Sequence, residues 1–221
     1  MQPNRLASRF DDASASWDAI YTGDERPLLH WWNQRTRQNV LERFRFVMEH
    51  GAPWTSQRVL DVGCGSGRYG LAIAACGAAK VVGLDISAGM ITLAQRSSRA
   101  HGYEDRCRFW MGDVREFHDP HGFETVIAVG FFDYIPNPTP LLSHLRTMTK
   151  GSLFATFPTR WAYRVPFRWF WWACRGCTTR FYTRAEVAHL CKENGFEPRT
   201  LIRRGPIFLL KAVCAPLSLE H

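Results

Sequence analysis

Nine residues, Val59-Leu60-Asp61-Val62-Gly63-Cys64-Gly65-Ser66-Gly67, constrain the fold more than any other stretch of this chain. An apolar run ends in a carboxylate and breaks at once into three alternate glycines. A helix-compatible segment, Arg68 to Ala75, follows. A parallel sheet uses such a sequence to bring bare backbone N–H groups and one negative charge to a single corner. Glycine allows left-handed dihedrals and lets a ligand approach the main chain closely. The new helix aims the positive end of its dipole at the same corner.

The ligand of that corner is narrowed by what comes next. Gly65-Ser66-Gly67-Arg68-Tyr69-Gly70 matches G-x-G-x-x-G, the dinucleotide pattern. Asp61 argues against a dinucleotide, because it stands where a pyrophosphate would lie and two anions repel. A ligand with an ammonium at one end and a sugar at the other fits better. Lys80-Val81-Val82-Gly83-Leu84-Asp85 reads as a second buried strand ending in an acid, and a carboxylate there can accept both hydroxyls of a ribose. Arg106 to Val114 repeats the pattern. Asp113 is placed to accept the amino group of an adenine, with Ile86 and Val114 on the ring faces. Thr125 to Phe132 gives a fourth apolar strand opening into aromatics. Read without a ligand, each acid is an ordinary strand-end or helix-cap carboxylate.

The ordered motifs D-V-G-C-G-S-G, G-L-D-I-S and G-D-V resemble those of the class I S-adenosylmethionine-dependent methyltransferases, over about residues 58 to 157. The resemblance implies an α/β fold: a Rossmann-like, doubly wound, seven-stranded sheet with S-adenosylmethionine across the strand tips and S-adenosylhomocysteine as product. It implies that Asp61 and the backbone of Gly63, Cys64, Gly65 and Gly67 hold the methionine part. Asp85 would hold the ribose, Asp113 the adenine amino group, and Gly130 and Phe131 would line the methionyl side. Phe10-Asp11, Trp17-Asp18, Ile20-Tyr21 and an arginine-bearing helix with Arg35 and Arg37 are most similar, within the family, to small-molecule O-methyltransferases of the magnesium-protoporphyrin and ubiquinone-pathway type. That likeness implies an N-terminal arm folding over the cofactor, with Tyr21 near the methyl group.

At 221 residues one domain is expected, large enough for a full core. Hydrophobic residues at 46% exclude a disordered chain. Seven scattered cysteines fit a reducing compartment better than a disulfide framework, and Cys174-x-x-Cys177 has no second pair to make a zinc site, so no metal is expected. No signal-peptide core and no apolar run of spanning length is present, which points to a cytoplasmic protein. Leu219-Glu220-His221 reads as a tag remnant. The net charge of +8 allows nucleic acid, anionic lipid or an acidic small molecule as partner and does not choose among them.

The expected organisation is a single methyltransferase domain over 1–221: an arm and helix (1–50), a cofactor-binding core (58–157), a lid or substrate segment (158–182) and a C-terminal helix and hairpin (183–216). Trp31 to His50 reads as an amphipathic helix burying Val40, Leu41, Phe44 and Val47 or Met48. Ser87 is the expected N-cap of a helix carrying Met90, Leu93 and Ala94 inward. Leu141 to Met148 is a helix and Gly151 to Phe157 a fifth strand. Thr183 with Glu186 is a capping-box pattern. Arg199 to Arg204 and Ile207 to Cys214 flank Gly205-Pro206 as a closing antiparallel hairpin.

Thr159 to Arg180 breaks the alternation of strands and helices. Arg160, Arg164 and Arg168 recur every four residues, beside a stripe of Trp161, Val165, Trp169 and Trp172. Three readings stand: a helix packed on the sheet, a lid or wall of an acceptor pocket, and a peripheral membrane contact through 160–180. A lid of this kind suits a flat or apolar acceptor bearing acidic groups, with Arg35, Arg160, Trp161, Arg164 and Arg168 as its contacts. Nucleic acid ranks lower, since no separate RNA-binding module is present. Tyr21 and Tyr134 are the expected shapers of the catalytic site and His144 the candidate base, with Asp133 and His30 behind them. The rival functions are an RNA methyltransferase, a non-catalytic S-adenosylmethionine-binding module and a nicotinamide oxidoreductase. Oligomeric state is not readable from the sequence.

Overall fold

In the computed structural model the described residues are 30–160 and 180–215, those of 30–37 by backbone only. The chain divides into two compact units between Phe117 and His118. The first holds α1 (His30–Gly51), β1 (Arg58–Val62), α2 (Arg68–Ala75), β2 (Lys80–Asp85), α3 (Ala88–Ala100) and β3 (Cys107–Met111). The second holds β4 (Phe123–Ala128), α4 (Thr139–Met148), β5 (Thr149–Pro158), α5 (Arg184–Glu193), β6 (Phe196–Arg204) and β7 (Ile207–Cys214). Short 3-10 turns follow β3 (Val114–Glu116) and β4 (Phe132–Tyr134). The seven strands take the order β3-β2-β1-β4-β5-β7-β6, the doubly wound mixed sheet expected.

In the first unit β1 pairs in parallel with β2, and β2 with β3, so Asp61 stands opposite Gly83 and Asp85 opposite Met111. Val59, Leu60, Val62, Val81, Val82 and Leu84 are buried, as a sheet covered on both faces requires. Helix α1 buries Phe46 and Val47, and lays Phe44 against Tyr69 (ring centroids 5.4 Å apart) with the Arg68 guanidinium over the Phe44 ring. Leu41, expected inward, is 41% exposed, because the buried face is centred on Phe46 and Val47 instead. Ser87 caps α3 by accepting from the Met90 N–H at 3.1 Å. The buried face of α3 is Met90, Ile91, Ala94 and Ser98, so Ile91 takes the place expected of Leu93, which is half-buried.

In the second unit β4 and β5 are parallel, while β7 runs antiparallel to both β5 and β6. The expected hairpin is present, and β6 begins earlier, at Phe196. Strand β4 stops at Ala128 rather than at Phe132. Gly130 turns the chain with φ 75 and gives its N–H to Thr156 Oγ1 at 2.7 Å, and Phe132 is then buried from a 3-10 turn. Thr183 and Glu186 exchange both bonds of the capping box at the start of α5.

Candidate functional site

The glycine corner is built entirely within the first unit. Gly63, Gly65 and Gly67 all have positive φ, a backbone that only glycine adopts at little cost. Their path folds the loop back on its own strands. The Gly63 and Cys64 N–H groups donate to Leu84 O at 2.8 and 3.0 Å, and Gly67 N–H donates to Cys64 O at 3.0 Å. The Gly65 N–H donates to Asp85 Oδ2 at 2.9 Å. The N–H groups of Gly63, Cys64, Gly65 and Gly67 are therefore engaged inside the protein.

Two carboxylates lie under this loop. Asp61 is 2% exposed; the Gly70 N–H donates to it, while its Oδ2 is buried without a hydrogen-bond partner. Burial, and then the charge of Asp85, push its carboxyl up to about 7, against the Gly70 bond. Asp85 is half-buried, and its Oδ1 accepts the Ser87 N–H at 2.9 Å. These two backbone bonds fix the orientation of the Asp85 carboxylate at the strand tip. Burial drives the Cys64 thiol well above its ordinary range, so this cysteine contributes backbone and packing, not a nucleophile.

Farther along the strand tips, Asp113 accepts from the Arg115 backbone N–H and from its Nε, each at 3.0 Å, and pairs with the rest of the guanidinium. Val114 is buried and Ile86 half-buried. Asp61, Asp85, Ile86, Asp113 and Val114 thus all stand at or just past the carboxyl ends of β1, β2 and β3, as the sequence spacing predicts. The bond between Arg115 and Asp113 was not foreseen.

In the second unit an aromatic series leads from Phe131 to Phe132 (edge-on, 6.0 Å), Phe157 (stacked, 4.7 Å) and Tyr182 (edge-on, 5.2 Å). Asp133 is 6% exposed, and Tyr134 closes the turn with its N–H on Phe131 O. His144 lies on α4 with its ring edge-on to His118, in the segment leading into β4. Arg160 pairs with Glu186 at 2.9 Å, and the Arg180 guanidinium lies over the Tyr182 ring. Burial pushes the Tyr182 phenol up to about 12. Tyr21, Trp161, Arg164, Arg168, Cys174 and Cys177 lie outside the described residues, and of Arg35 only the backbone, on α1, is described. Neither Thr159 nor Tyr182 carries a sequence signal of its own, because the bridge between them is non-local.

Residues 59–151 match the family model described as a methyltransferase domain. The ubiquinone biosynthesis O-methyltransferase of Vibrio cholerae serotype O1 is 28% identical over 163 residues, 72% of this chain and 60% of that protein. The chain thus spans about 60% of the length of such relatives. Among solved structures, magnesium protoporphyrin IX methyltransferase from Synechocystis PCC 6803, with bound SAH, superposes with a TM-score of 0.77 at 20% identity, covering 97% of this chain and all of that one. A 4+2 cyclase superposes with a TM-score of 0.68 at 16% identity, covering 95% of each chain. At these identities the likeness establishes the fold. Among the described residues no helix is long and apolar enough to cross a membrane.

Proposed function

We propose that this chain, whose residues 59–151 match the methyltransferase domain model, transfers the methyl group of S-adenosylmethionine to a small-molecule acceptor and releases S-adenosylhomocysteine. One observation carries the reading: the glycine loop turns the Gly63, Cys64, Gly65 and Gly67 N–H groups inward and sits over a buried carboxylate with an unpartnered oxygen. Such a corner repels phosphate and attracts a cation. This is the chemistry of an α-ammonium and a sulfonium, and the opposite of what a nicotinamide dinucleotide needs.

On this reading Asp61 and the backbone from Gly63 to Gly67 hold the methionine part, and Asp85 takes the ribose hydroxyls. Ile86 and Val114 flank the adenine, Asp113 accepts its amino group, and Gly130 and Phe131 line the methionyl side. The bound sulfonium supplies an electrophilic methyl group. The protein's share is alignment and exclusion of water, which together lower barriers by up to roughly 7–11 kcal/mol in ideal cases. Tyr21 and Tyr134 shape the transfer site. The acceptor contacts come from Arg35 and the segment containing Arg160, Trp161, Arg164 and Arg168, with residues 1–221 acting as one domain. The same segment is where a peripheral membrane contact would form.

The test is thermal protection by millimolar S-adenosylhomocysteine beside millimolar NAD, followed by transfer of labelled methyl to a panel of planar acceptors. Protection by the former and not the latter is expected. Protection by NAD alone overturns the reading. Binding without methyl transfer to any acceptor favours a non-catalytic binding module, and a steep salt dependence of RNA binding favours a nucleic-acid substrate.

A further inference from the structure

The charges of the second unit are unevenly placed. Arg160, Arg180, Arg184, Arg203 and Arg204 are all exposed. Backbone pairing gathers them at one end of the sheet. Arg203 and Arg204 lie opposite Phe208 and Ile207, and Ile207 lies opposite Pro158. The Thr159 N–H donates to Pro206 O at 3.0 Å. The Tyr182 N–H donates to Pro158 O and the Arg160 N–H to Tyr182 O, each at 2.9 Å. Arg180 lies over the Tyr182 ring, and Arg184 opens α5. At about 4.8 Å per strand, the three steps from Arg204 to Tyr182 span about 14 Å. This is the carboxyl end of β5, where the parallel β4 also gives way to the Gly130 turn.

Acids do not balance these cations. At this end, among the described residues, Glu186 pairs with Arg160 at 2.9 Å and Asp133 is buried. At the opposite end bases and acids stand together, Lys150 at 3.7 Å from Glu124 and His189 at 3.1 Å from Glu193. Arg184 is the first residue of α5, where the helix dipole disfavours a cation, so the helix itself does not call for it.

Arginines that share one rim and outnumber its acids attract a polyanion. The kind of polyanion follows from the sequence that joins Arg160 to Arg180. Residues 161–179 contain four Trp, two Phe, one Tyr and three Arg, and no Asp, Glu, Asn or Gln. Tryptophan beside arginine suits the boundary between lipid headgroups and acyl chains. Base recognition draws on amide and acidic side chains, which that stretch lacks. We infer that Arg180, Arg184, Arg203 and Arg204 form a docking rim for an anionic lipid bilayer, from which an apolar acceptor reaches the strand tips. The use of the rim rests on the methyl-transfer reading; its binding to a bilayer does not.

The test is flotation of the full chain with vesicles of phosphatidylcholine alone, and of equal parts phosphatidylcholine and phosphatidylglycerol. Binding is expected to the mixed vesicles only, and to fall steeply with added salt. Arg184→Ala and Arg204→Ala should each weaken partitioning about fivefold, and Arg203→Ala with Arg204→Ala about 25-fold. These side chains are exposed and stand on two different elements, so Tm and S-adenosylhomocysteine affinity should not change. Arg199→Ala, toward the other end of β6 and equally exposed, should cost about twofold or less. No binding to the mixed vesicles, equal binding to both kinds, or a loss from Arg199→Ala as large as that from Arg204→Ala would each overturn the inference. So would binding to polyuridylate with none to vesicles. Vesicle binding intact in a chain that S-adenosylhomocysteine does not protect overturns the methyl-transfer reading instead.

Discussion

Replacing Asp61 by Asn tests the electrostatics of the corner directly. The wild-type carboxyl is raised from 3.8 to about 7, first by burial and then by Asp85. In the unfolded chain it ionises near 3.8. Between these values the folded protein binds more protons than the unfolded one, so this group makes stability fall as pH rises from about 4 to about 7 and level off above. The span is 7 − 3.8 = 3.2 units, which at about 1.36 kcal/mol per unit is about 4 kcal/mol. The replacement amide keeps the shape and an oxygen for the Gly70 N–H, and carries no charge. The variant should match wild type near pH 4 and exceed it by up to about 4 kcal/mol above pH 7. For a chain of this size that is of order 10 °C in Tm, at about 2–4 °C per kcal/mol. Thermal melts of the ligand-free protein from about pH 4.5 to 9 read it out. The same variant should lose affinity for S-adenosylmethionine at high pH more than for S-adenosylhomocysteine, which lacks the sulfonium charge. Parallel melting curves for variant and wild type across the range would refute the argument.

Asp85→Ala removes the acceptor of the Gly65 and Ser87 N–H groups along with the proposed ribose contacts. With charge-assisted bonds worth roughly 1.5–3 kcal/mol each, calorimetry should show a loss of about 100-fold or more in S-adenosylhomocysteine affinity. The glycines separate packing from ligand approach. At Gly67 (φ 83) a methyl group would meet the Phe109 ring at 2.9 Å and Ala94 Cβ at 3.0 Å, so Gly67→Ala should lower Tm clearly. At Gly65 (φ 53) nothing lies within 4 Å, so Gly65→Ala should cost only the backbone strain, about 1–2 kcal/mol, and show its main effect in ligand affinity. His144→Ala tests the candidate base: if His144 takes the acceptor's proton, the variant should lose the acidic limb of the pH profile of turnover, and an unchanged profile would refute that role.

What the sequence disclosed was local. The strand–glycine–helix run, the acids at Asp85 and Asp113, the Ser87 cap and the Thr183–Glu186 box are each set by a few neighbouring residues, and each stands where the pattern puts it. Helix faces were legible only to within one position, since Leu41 against Phe46 and Leu93 against Ile91 are decided by what packs opposite. The end of β4 was misread because Phe131 and Phe132 are as apolar as the strand before them, and only Gly130 marks the turn. The Asp85 clamp on Gly65 and the Thr159–Tyr182 bridge join residues about 20 positions apart, and no local pattern announces either.

The Thr159–Tyr182 bridge also has a consequence for exchanging segments. Its backbone bonds fix the points where chain departs from β5 and returns ahead of α5, so the sheet and the helix cap do not depend on what is spliced between them. Such a socket would let segments of different length and chemistry be exchanged between its two ends while the folding of the sheet stays largely as it was. A graft between this chain and a relative should then be cut at these two residues.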